Sequence, residues 1–518
     1  RSDVRYNSAA PVLKELGVDL VYGPPRPNAN RDHAAALQDR SVPMRDIRPE
    51  LLRRAIADYV APLLEIAKEK GYRFFRKPLS LHDSLNGCWD TRFINPIDET
   101  KSCGYGKKGP KKNLVDIVYD DVSGAKIIQP TPELEGRFEL LMERAKKGNR
   151  LNPLIKTALK SEPVKYESDG TLAKNTRIFF VVPFADFLVT KALFAPIVDF
   201  LLSFPLVSEC MGGVNVNRDD WGSIYQHLKE FGAENCIESD FKRWDIRLSG
   251  QIIRGGGASL VMIARAIGYD DESILAMTAI LSDLANSYVM FQGALITIDG
   301  WMISGTYLTL LLNSVCNSLI HRCAFFDCYY EGTYVTDYGL KYRDHVRSIF
   351  MGDDALATSR TEEFNQLVMW DFCRRHNIEY TSGSKSDVME PYCHLDSATF
   401  CKRTFYFNPI LQQYMAPLAI PSIMKSLYMY KSESCVIEKQ QIVDAFGASL
   451  FELARHPREV FEHYHDILVE ASEILEISNL VLRLDMSYDG WMVLLDNRYF
   501  SDESTLGSEE IYEDIFEP

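Results

Sequence analysis

The sequence predicts an α+β protein organised round a β-α-β-β-α-β core, and three stretches carry that prediction. An apolar strand candidate leads to Asp240 and gives way to a helix; alternating runs on either side of Gly352-Asp353-Asp354 read as a hairpin; a helix near residues 362–376 leads into a strand near 378–381.

Taken in order, the first stretch is "CIESDFKRWDIRLSGQII", with Asp240 and Asp245 five residues apart. On one continuous strand they would lie on opposite faces, so a strand-to-helix turn is expected between them, leaving Asp240 at the strand end. Next comes "GWMISGTYLTLLLNSVCNSLIHR". Ser304-Gly305 reads as a flexible loop entering a helix on which Thr309, Asn313 and Asn317 share one face, with Leu308, Leu311, Leu312 and Val315 on the other. Such a polar stripe is either a hydrogen-bond network of the core or the wall of a site. In "RSIFMGDDALATS", Gly and Asp are ordinary turn residues, and alone the stretch is only a turn. If its strands neighbour that of Asp240, three carboxylates meet. They repel one another unless cations are present, and oxygen-only ligands favour Mg²⁺ or Mn²⁺. Two such cations about 3.5–4 Å apart suit in-line phosphoryl transfer.

The totals bound the function. The 518 residues can bury an extensive core, and 46% hydrophobic with 25% charged residues is ordinary globular composition. A formal net charge of −15 excludes a protein coated in basic charge, though not one with a basic groove. Basic residues gather in the first half, in "KSCGYGKKGPKK" and at Lys156, Lys160, Lys165, Lys174 and Arg177. Gly104, Gly106 and Gly109 match the dinucleotide fingerprint, but no strand leads in and Pro110-Lys111-Lys112 follows where a helix should begin, so a Rossmann site is rejected. A Lys-rich loop at phosphates or a merely exposed loop are the two readings left. Eleven cysteines without a Cys-x-x-Cys pair suit free thiols in a reducing compartment, so a cytosolic protein is expected. No signal-peptide core and no initiator Met open the sequence, which is compatible with a processed or trimmed N-terminus. "LVTKALFAPIVDFLLSFPLV" is interrupted by Lys191, Pro196 and Asp199, and no membrane span is predicted. The last eighteen residues hold seven acidic groups and no basic one; they read as a solvated tail, with folding back into a basic channel as the alternative. His456, His463 and His465 show no ligand spacing and read as helix surface.

In this order the residues resemble the RNA-dependent RNA polymerases of positive-strand and related RNA viruses, particularly the picorna-like group. Asp240-x4-Asp245 is similar to that family's motif A, Ser304-Gly305 with Thr309 and Asn313 to motif B, and Gly352-Asp353-Asp354 to motif C. Lys385 in "TSGSKS" resembles the Lys proposed to protonate leaving pyrophosphate, and "TFCKRTF" resembles the primer-grip motif E. "LKSEPVKYESDGTLAKNTRIFF" is similar to basic motif F, and the Gly-Tyr and Gly-Lys-Lys segment to part of the picornaviral fingers. "QQIVDAFGASLFELARHPREVFEHY" matches the pattern of the thumb helices, so the resemblance runs from about residue 100 to 470. It departs in three places: Arg1 stands where picornaviral enzymes bury an N-terminal Gly, Met351 stands where a Tyr often precedes GDD, and the segment after about residue 475 exceeds the compact picornaviral ending. The motif B stretch is also similar to partitiviral and picobirnaviral polymerases.

The resemblance implies a closed right hand with fingers, palm and helical thumb. It divides the chain into fingers with an N-terminal fingertip region and motif F at 1–234, motif A at 235–250, a fingers/palm insertion at 251–295, motifs B to E at 296–408, a thumb at 409–475 and a C-terminal extension at 476–518. It implies template-directed RNA synthesis in which Asp240, Asp353 and Asp354 hold Mg²⁺ (or Mn²⁺ in vitro) and Lys385 serves as the acid. Asp245, Ser304, Gly305, Thr309 and Asn313, with Lys160, Lys165, Lys174 and Arg177, would bind the nucleoside triphosphate, and Lys402 and Arg403 would grip the primer. Template RNA, the nascent strand and other viral replication proteins are the implied partners, and a replication complex in the host cytoplasm, or the virion, the implied location. The rival readings are a catalytically degenerate palm that binds RNA, a metal-dependent nuclease, and a reverse transcriptase. A reverse transcriptase would be expected to carry a bulky aromatic gate where Asp245 stands and to lack Asn313.

Overall fold

The chain opens with strand β1 (Val4–Tyr6) and helix α1 (Ala9–Glu15), and both pack against the far end of the sequence. The computed structural model describes residues 3–167, 169–331, 334–335, 339–381 and 389–496. β1 pairs with a strand near the C-terminal end, Asn7 donates to the Leu427 carbonyl 420 residues away, and Ala9, Ala10 and Leu13 of α1 enter the C-terminal core.

Helix α2 (Pro49–Lys70) starts on a Pro, whose missing N–H costs nothing at a helix N-terminus, and buries Leu52, Ala55, Tyr59, Leu63 and Ile66 at helical spacing. Strands β2 (Leu154–Leu159) and β3 (Ile178–Val181) form an antiparallel pair. Helix α3 (Phe184–Ser203) is apolar nearly all round and buried along almost its whole length, which makes it a core helix. No helix among the described residues is long and apolar enough to cross a membrane. After strand β4 (Cys236–Lys242) come helices α4 (Gly250–Ile267) and α5 (Asp271–Ala285), then strands β5 (Asn286–Phe291) and β6 (Ala294–Asp299). β6, β5, β2 and β3 make one four-stranded sheet in that order.

Helix α6 (Thr309–Asp327), strands β7 (Val346–Met351) and β8 (Asp354–Ser359), helix α7 (Gln366–Arg375) and strand β9 (Glu379–Thr381) come next. The second sheet has the order β7-β8-β4-β9, antiparallel throughout. Both its faces are covered. Val346, Ala357 and Ile237 join the large core that includes α6, whereas Ile349, Leu356 and Cys236 join a cluster round Trp221, Ile224 and Leu228. That double burial puts even the polar Ser348, Thr358 and Ser359 of the runs flanking Gly352-Asp353-Asp354 out of solvent.

One expectation shifts. Asp240 is not the strand end: β4 runs on to Lys242, because Thr381, Tyr380 and Glu379 of β9 pair with Asp240, Phe241 and Lys242. The turn comes at Arg243, in the left-handed region at φ 57°, and Asp245 sits in the single helical turn Trp244–Arg247.

Helix α8 (Ile420–Leu427), strand β10 (Met429–Lys431), which is the partner of β1, and helices α9 (Glu438–Leu453), α10 (Arg458–Ile474) and α11 (Tyr488–Leu495) share a hydrophobic core of their own with α1. His456 is not on a helix surface. It lies just before α10, buried, its Nε2 2.9 Å from the Leu418 carbonyl, and His465 reaches the Leu484 carbonyl, while His463 is exposed. Residues 497–518, which include the acidic tail, lie outside the described residues.

Candidate catalytic site

The antiparallel register brings the acidic residues together. The β4–β8 ladder ends with Ser239 of β4 opposite Ala355 of β8, and Asp240 and Asp354 are the next residue of each strand. Paired residues share a face, so both carboxyls look to one side of the sheet and Ser239 to the other. On the first side Cys401 lies near Asp354, whose charge adds to burial in raising the thiol pKa. On the second, Ser239 Oγ is 3.4 Å from His321 Nε2 on α6. The last rung of the hairpin is Met351 with Asp354, leaving Gly352 and Asp353 as a two-residue turn. Gly352 takes φ 69°, which the first position of such a turn requires.

Burial raises the pKa of Asp354 to about 6, helped by the neighbouring Asp353 charge, and Asp353 is raised by burial and by Asp240. Asp245 is likewise pushed up to about 6, by burial and then by Asp353. Asp353 and Asp245 nevertheless reach solvent. The two lie close enough for the Asp353 charge to raise the pKa of Asp245. Asp245 is oriented from α6: Trp244 Nε1 donates to Asn313 Oδ1 at 2.9 Å, and Asn313 Nδ2 reaches Asp245 Oδ1 at 3.4 Å. Thr309 uses its hydroxyl proton on the carbonyls of Ile303 and Thr306, both at 3.0 Å, and so ties the loop before α6 rather than facing Asp245. Ser304 Oγ accepts from the Phe180 N–H at 3.2 Å. At 305 only Gly fits, since a Cβ there would collide with the Phe180 carbonyl.

Opposite the carboxyls stand cations. The Lys160 N–H donates to the Arg177 carbonyl at 2.9 Å, one step beyond the β2–β3 ladder, and the charges of both side chains pull down the pKa values of Asp245 and Asp353. Arg177 is held by Glu162 through two bonds of 2.7 and 3.0 Å. Lys165 and Lys174 are exposed on the loop between β2 and β3, where Lys165 pairs with Tyr22, and neither is among the charges that shift those carboxyls. Lys402, in a tight turn closed by Phe400 and Arg403, lowers the pKa of Asp354. Arg403 is committed elsewhere: its guanidinium binds Glu452 of α9 at 2.8 and 2.9 Å and the Ala416 carbonyl at 2.7 Å, so its charge fastens that turn to the C-terminal helices. Lys385 lies outside the described residues.

Sequence reasoning missed three participants. Lys425 of α8 joins the cation group, its own pKa lowered by burial and then by Lys402. Cys401 lies near Asp354, and Ser314 of α6 accepts the Gly352 N–H at 2.9 Å. Of these, only Ser314 carried a signal, one residue after Asn313 on an already suspect helix. Among the described residues, no three His, Cys, Asp or Glu side chains converge closely enough to hold a metal ion by themselves.

The sequence profile described as "Viral RNA-dependent RNA polymerase" matches residues 73–469. The chain belongs to that family. Within it, the relatives are picorna-like. The chain is 23% identical over 405 residues to the replicase polyprotein of Drosophila C virus, covering 75% of this chain and 22% of that polyprotein. With the replicase polyprotein of Cricket paralysis virus it shares 24% identity over 365 residues, 66% of this chain and 20% of the relative. With the genome polyprotein of Deformed wing virus it shares 24% over 355 residues, 65% and 11%. The chain thus spans about a fifth or less of these viral polyproteins. Its fold is similar to that of the Sicinivirus 3Dpol RNA dependent RNA polymerase, with a TM-score of 0.73 at 16% identity over 98% of this chain and 96% of the other. The architecture is that of a right-hand polymerase.

Proposed function

We propose that this picorna-like polymerase chain copies RNA by template-directed nucleotidyl transfer, the primer 3′-hydroxyl attacking the α-phosphorus of a paired nucleoside triphosphate and pyrophosphate leaving. The observation that carries this reading is the β4–β8 pairing, with Asp240 and Asp354 on one face next to the Asp353 turn and the charges of Lys160 and Arg177 acting on Asp353. On the same reading β4, β7, β8, β9 and α6 form the palm, the sheet bearing Lys160 belongs to the fingers, and α8 to α11 form the thumb, with residues 235–250 and 296–408 as motifs A and B to E.

The donor chemistry fits divalent cations. Asp240, Asp353 and Asp354 offer only oxygens, the Asp240 charge helps to raise the pKa of the other two, and among the described residues no cation is ion-paired with them. Mg²⁺ is commonly held by one or two carboxylates together with waters and substrate phosphates, which this set of oxygens can supply. When bound, Mg²⁺ would lower the pKa of the attacking hydroxyl and neutralise charge on the phosphates. Lys160 and Arg177, with Lys402 and Lys425 nearby, would hold the triphosphate against the acidic wall, an arrangement stabilised most when charge builds on the leaving phosphates. Asp245, steadied by Asn313, would accept from the ribose 2′-hydroxyl. Lys165, Lys174 and Lys385 would meet template or leaving group from the loops that carry them. Substrate, RNA partners and a replication complex in the host cytoplasm belong to this proposal as a whole.

The test is extension of a labelled RNA primer on an RNA template with Mg²⁺ or Mn²⁺, with ribonucleotides against deoxynucleotides, for the native chain and Asp353→Asn. Template-dependent extension that prefers ribonucleotides, reduced at least about 10³-fold in the variant, is the expected outcome. No extension with either metal, alongside intact RNA binding, would mean a degenerate palm that binds RNA without copying it.

A further inference from the structure

Helix α6 lies behind both strands that carry the acidic residues, and its inner face grips each of them. Toward the hairpin, Asn317 Nδ2 donates to the carbonyls of Gly352 at 3.2 Å and Asp353 at 3.0 Å, and Ser314 Oγ accepts the Gly352 N–H at 2.9 Å. Toward β4, one helical turn on, His321 Nε2 meets Ser239 Oγ at 3.4 Å, next to Asp240. Asn317 and His321 are both wholly buried, and each keeps one polar atom without a partner among the described residues, Oδ1 and Nδ1 respectively.

The hydrogen-bond directions fix what each of these atoms can take. The Tyr380 hydroxyl donates to the Glu238 carbonyl at 3.2 Å, so its oxygen receives the Ser239 proton at 3.3 Å. Ser239 Oγ can then only accept from His321, which puts the imidazole proton on Nε2 and leaves Nδ1 a bare acceptor. The ring is neutral, because burial pushes its pKa down to about 3, with the Arg322 charge adding to the fall and the Glu209 charge opposing it. Asn317 Oδ1 is an acceptor too, its amide fixed by the two carbonyls it serves. Two buried acceptors at i and i+4 on one helix face cannot satisfy each other, whereas one water donates to both.

We propose that Asn317, Ser314 and His321 are positioning residues that set Asp353 relative to Asp240, and that a buried water bridging Asn317 Oδ1 and His321 Nδ1 completes the link between the two strands. The inference rests on the nucleotidyl-transfer reading above. It makes α6 a single rigid ruler for the metal site, with its other end fixed by the close approach of Gly305 to Phe180.

The experiment compares the native chain with Asn317→Leu and Ser314→Ala by three measurements: single-nucleotide incorporation at saturating and limiting nucleotide, Mn²⁺ binding by electron paramagnetic resonance without nucleotide, and urea unfolding. Asn317→Leu is expected to lower kcat about 10- to 100-fold, with nucleotide KM within about twofold, and to weaken Mn²⁺ binding about 5- to 10-fold. Ser314→Ala moves the same quantities in the same direction by less. A merely structural role would change the urea midpoint and leave the Mn²⁺ affinity of the folded fraction as it was. If the native chain extends RNA and both variants keep kcat and Mn²⁺ affinity within about twofold, the positioning role is overturned. If the native chain extends nothing, the proposed function fails, and Mn²⁺ binding alone decides the positioning. Should Asn317→Leu not fold, Ser314→Ala decides. A crystal structure with no density between Asn317 and His321 would overturn the water.

Discussion

Two regions of this protein bury charge with opposite results. Beneath the Asp353 hairpin, Glu209 is wholly enclosed yet its carboxyl is held down to about 2, because Arg322 meets it with bonds of 2.7 and 2.8 Å, Arg343 stands 3.3 Å away and Ser318 donates at 2.7 Å. Along α3, Asp186 and Asp199 are as deeply placed, but each rises to about 6, and Lys191 falls to about 8. Burial is the largest cause in both regions; partners decide the sign of the outcome. The carboxyls of the candidate site belong with the second kind. Asp245 and Asp354 also rise to about 6, but Asp245 is exposed and Asp354 only half-buried, so a cation can reach them. The contrast separates charge that holds the fold, charge the fold merely tolerates, and charge left available for a ligand.

The largest effect is expected where the pairing is complete. Arg322→Met strands Glu209 and loosens Asp58, which Arg322 also binds at 2.8 Å, and is expected to destabilise by about 3–5 kcal/mol in urea unfolding. A loss under about 1 kcal/mol would erase the distinction between the regions.

Asp186→Asn is expected to do the reverse and stabilise by about 1–3 kcal/mol at pH 7. The sign comes from linkage. A carboxyl whose folded pKa is about 6, above its unfolded 3.8, favours folding below pH 3.8 and loses that contribution as pH rises through 6. Glu209, held at about 2, contributes above its unfolded 4.5 and loses it as pH falls toward 2. Thermal unfolding of the native chain and Asp186→Asn between pH 4 and pH 7 reads the difference, and the gain from the substitution should vanish near pH 4.

The third class is probed by removing metal. Mg²⁺ at ten times its dissociation constant is expected to stabilise the native chain by about 1.4 kcal/mol, and EDTA to reverse it, with no response in Asp353→Asn. An equal response in the variant would move the cation elsewhere. The smallest effect belongs to Lys425→Ala, expected to raise nucleotide KM about two- to fivefold at low salt and to converge on the native value as salt screens the exposed cations.

What was legible in the sequence was local. The Gly352-Asp353-Asp354 hairpin, the Asp240 strand and the polar stripe of α6 each announce themselves through a period of two or of roughly 3.6, and the β-α-β-β-α-β order emerges from reading them in series. The extent of β4 was not legible, since its last residues are held by β9, more than a hundred positions on. Nor was Arg322: in "SLIHR" it looks like the charged end of an apolar helix, and only packing shows that it is fully enclosed with a carboxylate from Glu209. Lys425 is one lysine on an amphipathic helix, made relevant by neighbours far away in sequence. Arg403 shows the converse. Its motif suggested a grip on primer, but Glu452 was near enough to claim the guanidinium.

The pairing of β1 with β10 also bears on the order of events during synthesis. At about 5–20 residues per second, Asn7 waits roughly 20–80 s for Leu427, 420 residues later, to leave the ribosome. Until then β1 is an unclaimed strand edge, and α1 an amphipathic helix without its core. β1 and α1 therefore reach their final places only after α8 and β10, some 420 residues further along, have been made.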